Sequence, residues 1–455
     1  MLFRSPSVNA LTENADPVSI VEENAKSLIL KAMETGWEGP PFDIFQLADM
    51  LGFEIMPYDL IRDARLIPIA RGRFRIEYNP NQPKARIRFS VAHEIAHTLF
   101  PDCREHIRNR DIKHDTFTDD WQLEMLCNIG AAELLMPVGS FVKNIKDDLS
   151  IDAILDLRKQ YQVSTEAVLL RLVRLARIPC AVFGASRQSS SQDRLRVDYI
   201  QTANNWTIPL YSGFRIPSNS ALYECGAIGY TAKNNETWTA NTGQMHVECV
   251  AIPSYPGANH PRIVGILSAP NSKPVTMATI KYVAGDATKP RGDGVKIIAQ
   301  IVNNTTPRWG GGFARIVKKK WPEVQDDFIY WANQQKLKLS LGETHLYQIQ
   351  KNLCIFHIIA QHGYGESKNP RIRYRALESG LQQLSEIAKE KCASVHMPRI
   401  GCGQAGGSWP VVSELIAFLL CRKGVDVTVY DLPSERDRWV KPPLQRTLFD
   451  SPDVI

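Results

Sequence analysis

The sequence predicts a multidomain protein of mixed α+β and α/β class: a helical domain carrying an HExxH motif, a small β-rich middle domain and a carboxy-terminal three-layer α/β/α domain. Three observations carry this expectation. At 455 residues the chain exceeds the roughly 250–300 residues at which one hydrophobic core stops growing. In its first third, apolar residues recur at helical spacing, with Gly, Pro and Asn marking the breaks. From about residue 277 onward, short strand-like apolar runs alternate with helical stretches, the pattern of a largely parallel sheet with crossover connections.

Composition narrows the class. The chain is 44% hydrophobic and 22% charged, the balance of an ordinary soluble globule, and it has no apolar run of about 18 residues that could span a bilayer. Its first residues, MLFRSPSVNALTENADP, lack a continuous apolar segment, so no secretory signal is expected and the protein is placed in the cytoplasm. Nine cysteines without CxxC spacing argue against a disulfide framework and a cysteine-ligated metal site, and read as buried thiols. A formal charge of +6, widely spread apart from Lys318-Lys319-Lys320, neither demands nor excludes nucleic acid.

Residues 1–184 form the first expected domain. From Ser19 to Gly52 the apolar spacing is helical, broken at Gly39-Pro40-Pro41 into two helices, the second beginning near Phe42. Short β-like runs follow at Arg73–Tyr78 and Ala85–Phe89, separated by the turn Asn79-Pro80-Asn81-Gln82-Pro83. Ser90 suits the N-cap of a helix from Val91 to Pro101, and Trp121–Met136 is a further helix stopped by Pro137. Ile151–Tyr161 and Thr165–Leu175 pair around Gln162-Val163-Ser164 in the outline of a helix-turn-helix. Capped helix pairs are more often structural than groove-reading, so DNA is carried only as a secondary partner. Polar Ser186–Asp193 reads as a linker to residues 194–268, a run of short alternating strands with no chemistry attached. A second linker, Ser268–Pro274, precedes the α/β region 277–433, with strands expected near Thr279–Ala284, Lys296–Val302, Leu353–Ala360, Ser394–Pro398 and Val425–Tyr430. Residues 434–455 read as a flexible tail. Within it Gln445–Phe449 vaguely resembles a sliding-clamp peptide, though a tail docked on its own domain is the better reading.

The stretch Arg86–Pro101 is RIRFSVAHEIAHTLFP. On a helix His93 and His97 face the same way, about one turn apart, and can present two imidazoles to one ion. Glu94 projects beside them. With a zinc held by three protein ligands and a fourth position open to water, such a Glu is placed to act as general base. A helix with surface histidines would surround them with polar residues. Here the flanks are Phe89, Val91, Ala92, Ile95, Ala96, Leu99 and Phe100, where unliganded imidazoles would be costly to bury. The third ligand must come from elsewhere, and His106, His114, Asp120, Glu124 and Glu133 are the downstream candidates. Glu124 and Glu133 are nine residues apart, about two and a half turns, so they point to opposite faces and cannot both reach the ion.

RIRFSVAHEIAH followed by EMLCNIGAAELLMP resembles the ImmA/IrrE family of intracellular metallopeptidases, over about residues 20–180. That family's pattern is a strand ending in Arg-Phe-Ser/Thr, the HExxH helix, and a Glu-x-x-x-Asn-x-x-Ala-x-Glu-Leu-Leu-Met-Pro helix. The resemblance implies a zincin-like domain with Zn2+ as cofactor, Glu124 as third ligand beside His93 and His97, Glu94 as catalytic base and Glu133 as a structural residue. It also implies a protein substrate, of the transcriptional-repressor class, cleaved in a stress or phage-related response.

Near the other end, MPRIGCGQAGGSW is a strand running into a loop with glycines at 401, 403, 406 and 407, then a helix from about Trp409. Such a loop can turn its amides inward and the helix start adds partial positive charge, which suits a diphosphate, although the same glycines also serve plain tight turns. The spacing is neither Walker A nor Rossmann. Gly310-Gly311-Gly312 follows Asn303-Asn304 at the end of another strand, and glycine loops at the C-terminal ends of neighbouring strands are where α/β sheets bind ligands.

With VAGDAT, GGGFARIVKKKWPEV and VTVYDLP, this region resembles a macrodomain over about 277–433, of the branch holding terminal ADP-ribose protein glycohydrolase and DarG-type antitoxins. The resemblance implies ADP-ribose or a related NAD-derived nucleotide as ligand. Asp286 would bind the adenine, Asn303 and Gly310 to Gly312 would face the distal ribose, and Gly401, Cys402, Gly403, Gln404, Ala405, Gly406 and Gly407 would wrap the diphosphate. Two positions depart from the hydrolase pattern: Gln361 stands where that branch has lysine, and Gln404-Ala405 where an aspartate follows the GCG loop. His362 and Asn304 are then the groups to test for hydrolysis by a positioned water. The expected function is a zinc endopeptidase fused to a reader of ADP-ribose, free or protein-linked. The alternative is an ADP-ribose hydrolase or antitoxin whose zinc domain binds a partner.

Overall fold

The computed structural model describes residues 16–70, 73–101, 120–137, 150–176, 178–187, 194–203, 206–239, 243–254, 260–269, 280–334, 339–365 and 370–432, with a few isolated neighbours. They fall into two compact units, Met1–Thr276 and Met277–Ile455. Among the positions singled out above, His106, His114, most of both linkers and the tail from 434, with its Gln445–Phe449 stretch, lie outside the described residues.

The first unit opens with helix α1, Pro17–Glu34, whose N-cap Asp16 accepts from the Ser19 amide at 3.0 Å. Asp43 caps the short α2, Ile44–Met50, in the same way, and between them Trp37 packs on Phe42 with ring centroids 4.9 Å apart. Strands β1 (Glu54–Pro57), β2 (Ala64–Ala70), β3 (Arg73–Tyr78) and β4 (Arg108–Asn109) form a sheet of order β1-β3-β2-β4. Helix α3, Lys84–His97, follows, then α4, Asp120–Leu135, which packs along α3 and α1.

The strand expected at Ala85–Phe89 is the first turn and a half of α3, so Ser90 is helix interior and Pro83 precedes the true start. The alternation Arg86, Ile87, Arg88, Phe89 suggested two faces of a strand. On the helix those two arginines diverge instead. Arg86 Nη2 meets Asp63 at 2.9 Å, while buried Arg88 donates to the Phe42 carbonyl at 2.8 Å.

Helices α5 (Ile151–Tyr161) and α6 (Thr165–Leu175) are capped by Ser150 and Ser164, and Gln162 turns between them with φ +52°. Their apolar faces, Ile154, Leu157, Val168 and Leu172, share one core with Val91, Ile95 and Leu134 of α3 and α4. The same core takes Val182, Val250, Val264 and Ile266 from a second sheet. That sheet is wholly antiparallel: β5 (Cys180–Arg187), β6 (Leu195–Thr202), β7 (Thr231–Glu236), β8 (Met245–Ile252) and β9 (Arg262–Ser268), in the order β6-β5-β9-β8-β7. Alternate residues Ala181, Phe183, Val247, Cys249 and Leu267 face a second core on its other side. Residue 184, where a domain boundary is expected from the sequence, lies within β5, a strand buried on both faces.

The second unit is built on one six-stranded sheet of order β10-β15-β14-β11-β13-β12. Strands β10 (Lys281–Ala284), β11 (Lys296–Asn303), β13 (Leu353–Gln361), β14 (Ser394–Met397) and β15 (Val427–Asp431) are parallel; β12 (Thr344–Gln350) is an antiparallel edge that the sequence reading lacks. Helices α7 (Gly312–Lys320) and α8 (Pro322–Gln334) pack through Val317, Val324 and Phe328 on Ile298, Ile355 and Ile359. Helix α9 (Tyr374–Glu390) lies against the opposite face, where an added Cβ at Gly380 would fall 2.3 Å from Ile358. Helix α10 (Trp409–Leu419) packs beside α9.

Candidate functional sites

On α3 every residue from Ser90 to His97 is buried, including His93 at 0%, Glu94 at 0% and His97 at 2% exposure. Two imidazoles and a carboxylate inside an apolar helix need partners, and α4 supplies them. Small residues let the two helices close up: an added Cβ on Gly130 would stand 2.9 Å from the Cβ of Ala96. At that separation Glu124 reaches over both histidines, with its Oε2 2.9 Å from His93 Nε2 and its Oε1 3.5 Å from His97 Nε2. The three ligand-type atoms lie within 4.8 Å of one another. The Glu124 side chain keeps 15% exposure, so the cluster is closed on the histidine side and open beside the carboxylate.

The far nitrogens of the two rings are also engaged. His93 Nδ1 stands 2.9 Å from Asn128 Oδ1, and His97 Nδ1 3.3 Å from the Cys127 sulfur. An imidazole that donates from Nδ1 presents a lone pair at Nε2, the form a metal takes. Both Nε2 atoms face Glu124, so the donor set fits one divalent cation. The sequence reading missed Cys127 and Asn128, although they sit three and four residues after Glu124 on one helix, the spacing that shares a face.

Glu133 lies elsewhere. It forms a buried ion pair with Arg171 of α6, and burial pushes its carboxyl up from the usual carboxylate range. Asp120 heads α4.

The second unit brings its two glycine loops into contact. An added Cβ on Gly311 would fall 2.6 Å from the Gln404 amide nitrogen, so Gln404 lies directly over the Gly310–Gly312 loop. Gly312, Gly401 and Gly406 have φ of +59°, +75° and +67°, left-handed values that favour glycine. The 401–407 loop is braced from within: Gly407 N donates to Gly401 O, Gly406 N to Gly403 O, and Ala405 O accepts from both Arg371 N and Ile372 N. Among the described residues, the amides of Gly403, Gln404 and Ala405 donate to no backbone carbonyl. Helix α7 starts at this contact with no side-chain cap, as α10 does at Ser408. Amides of a loop and of a helix start without a side-chain cap are groups that can bind an anion.

The remaining expected ligand residues lie on other parts of the second unit. Asp286 follows β10 and accepts from the Thr288 amide at 2.8 Å. Asn303 ends β11, and its Oδ1 accepts from Thr305 N, Thr305 Oγ1 and Thr306 N. That leaves the Asn303 side-chain NH2 as the group it can offer outward. Burial pushes the Cys402 thiol up to about 12, which disfavours the thiolate at neutral pH. Gln361 Nε2 donates to Gly363 O at 2.8 Å, and Asn304 Oδ1 accepts from Gly363 N at 3.3 Å. Arg399, which the sequence reading missed, grips Asp431 through two hydrogen bonds of 2.6 and 2.8 Å. Its guanidinium also lies near both the Tyr282 and Trp409 rings, 5.3 and 5.0 Å from their centroids, tying the start of the 401–407 loop to β10 and β15.

Comparison with known proteins bears on both sites. A family model described as the IrrE N-terminal-like domain, Peptidase_M78, matches residues 53–173. The chain is also similar to chromodomain-helicase-DNA-binding protein 1-like of Mus musculus, 32% identical over 175 residues, covering 36% of this chain and 19% of that protein. It is 29% identical over 155 residues to ADP-ribose glycohydrolase OARD1 of Homo sapiens, covering 34% of this chain and 91% of that one. A solved macrodomain protein from Streptomyces coelicolor is 38% identical, with 33% of this chain and 98% of that chain covered at a TM-score of 0.30. This chain spans only 19% and 15% of the chromodomain-helicase relatives from Mus musculus and Danio rerio that it matches.

Proposed function

We propose that this chain, which carries an IrrE N-terminal-like domain of the M78 peptidases at residues 53–173 and a region related to macrodomain proteins, is a zinc-dependent endopeptidase with a nucleotide-reading second unit. The observation that carries the first half is the His93, His97 and Glu124 cluster, with both histidines buried and the carboxylate partly exposed. Two imidazoles and one carboxylate are the donor set of a catalytic zinc, which leaves a position open to solvent. The opening beside Glu124 meets that requirement. A zinc held there would polarise a peptide carbonyl and lower the pKa of its water to about 7. Glu94 takes a proton at its carboxylate and returns it to the leaving amine nitrogen, Asn128 and Cys127 hold the two rings in their metal-facing form, and the apolar wall of α3 limits bulk water. The substrate in this reading is a regulatory protein, cut in a stress or phage-related response inside the cytoplasm.

The test pairs metal analysis with profiling of new protein N-termini in cells expressing the chain. Wild type and Glu94→Gln should each hold about one zinc, His93→Ala should hold little, and only wild type should generate new N-termini. Absence of stoichiometric zinc, or identical N-termini in wild type and Glu94→Gln, would overturn the reading.

For the second unit, the contact between the 310–312 and 401–407 loops supports a diphosphate-bearing ligand, ADP-ribose or a related NAD-derived nucleotide, free or protein-linked. Asp286 and Asn303 would take its two ends. Gln361 and Gln404 carry no charge with which to drive glycosidic cleavage, which favours reading over hydrolysis. The names of the glycohydrolase relatives favour the rival, a de-ADP-ribosylating hydrolase or antitoxin whose zinc domain serves as a partner-binding module. Under that rival Glu94→Gln leaves biological activity intact. Saturable calorimetric binding of ADP-ribose without its release from a modified protein supports the reader, and turnover supports the rival.

A further inference from the structure

The antiparallel sheet of the first unit carries chemistry that neither site uses. Cys225 ends the 3-10 turn Ala221–Glu224, Cys249 lies on β8, and their sulfurs stand 3.6 Å apart in the core lined by Phe183, Val247 and Trp238. The two residues are 2% and 0% exposed. No CxxC spacing brings them together; the fold does. Glu236 on β7 accepts from Ala221 N and from Trp238 Nε1, each at 2.6 Å, and so pins the 3-10 turn over β8. Immediately after Cys225 the chain surfaces, with Ile228 63% and Tyr230 62% exposed. Cys225 is therefore the member of the pair that lies next to an exposed loop.

We propose that Cys225 and Cys249 form a reversible dithiol–disulfide pair oxidised by a peroxide. The Cys225 thiolate attacks one peroxide oxygen and breaks the O–O bond, leaving a sulfenic acid and a hydroxide that takes up a proton as water. The Cys249 sulfur then attacks the sulfenic sulfur, the S–S bond forms, and the second oxygen leaves as water. The thiols lose two electrons and two protons, and the peroxide takes up both. The sulfurs must close from 3.6 Å to about 2.05 Å, a movement that falls to the loop-borne Cys225 more easily than to β8. The order of roles follows the environment: the hydrogen bond from Cys249 lowers the Cys225 thiol, while that bond and burial raise Cys249. Cys225 attacks and Cys249 resolves.

The experiment uses the full chain. Protein exposed to hydrogen peroxide is unfolded in N-ethylmaleimide, digested and mapped with and without dithiothreitol. Cys225 and Cys249 should leave the alkylated pool together, appear in one cross-linked peptide pair, return on reduction, and do so before the other buried cysteines. Cys249→Ser should stop at a dimedone-reactive Cys225. The proposal is overturned if both remain alkylatable while exposed Cys392 is consumed, or if either sulfur pairs elsewhere. Mapping of the wild type decides this even if the variant fails to fold.

Discussion

His93 is wholly buried, yet neither of its ring nitrogens faces hydrocarbon: one meets Asn128 at 2.9 Å and the other Glu124 at 2.9 Å. A side chain that accepts a hydrogen bond from a ligand's far nitrogen fixes its tautomer, and losing it typically weakens metal binding by about 10–100-fold. Asn128→Ala should lower zinc affinity by about that factor in competition with a chelator, while Asn128→Asp, which keeps an acceptor, should retain most of it. Glu133 makes a different kind of prediction. Its partner Arg171 is 1% exposed, and removing one member of a buried pair strands the other charge at a cost of about 3–5 kcal/mol. Glu133→Ala should therefore shift the denaturation midpoint strongly, and the zinc site should be lost only as the unit unfolds. The two glutamates of α4 thus separate by assay, one through metal content and one through stability.

At the level of elements, the metal cluster depends on how closely α3 and α4 approach. Gly130 and Ala96 meet at their crossing, so Gly130→Val inserts atoms where 2.9 Å is available. Overpacking of that kind costs about 1–3 kcal/mol. It should also lower zinc occupancy, because Glu124 is carried away with the helix, and both effects are readable on one purified protein. Helix α3 also shows where local pattern misleads. An Arg-Ile-Arg-Phe alternation has strand periodicity over four residues, too short a window to distinguish period 2 from period 3.6. The tertiary partners Asp63 and Phe42 decide it. The helical pair α5 and α6 was legible because Ser150 and Ser164 cap it; what its apolar faces cover was not, since the β5, β8 and β9 residues that receive them follow in later sequence.

Across the whole molecule, stability should depend on pH through histidines buried in the second unit. His396 lies between Ser394 Oγ at 2.9 Å and Tyr430 OH at 3.0 Å, and burial, with Lys296 nearby, lowers its pKa to about 4. His345 and His357 are lowered by burial as well. An unfolded histidine titrates near 6.5. Stability from these groups is then fully present above about pH 6.5 and is lost as pH falls towards 4, because the unfolded chain binds the protons first. His396 alone accounts for about 3 kcal/mol of that loss, so denaturant unfolding of the second unit should weaken markedly between pH 7 and 5. Ligands should act on the units selectively. Chelation should lower the unfolding temperature of the first, and ADP-ribose at about 100 times its Kd should stabilise the second by about 2.7 kcal/mol. The residues alone settle that the HExxH motif lies on a helix, though not where that helix begins, and they settle the succession of parallel strands and the position of both glycine loops, because each is written in local spacing and in side chains with few other uses. Only the tertiary structure decides that Glu124 lies over the histidines and Glu133 against Arg171, that Gln404 rests on Gly311, and that Cys225 meets Cys249. Those pairs are separated along the chain and are joined by packing, which local periodicity does not encode.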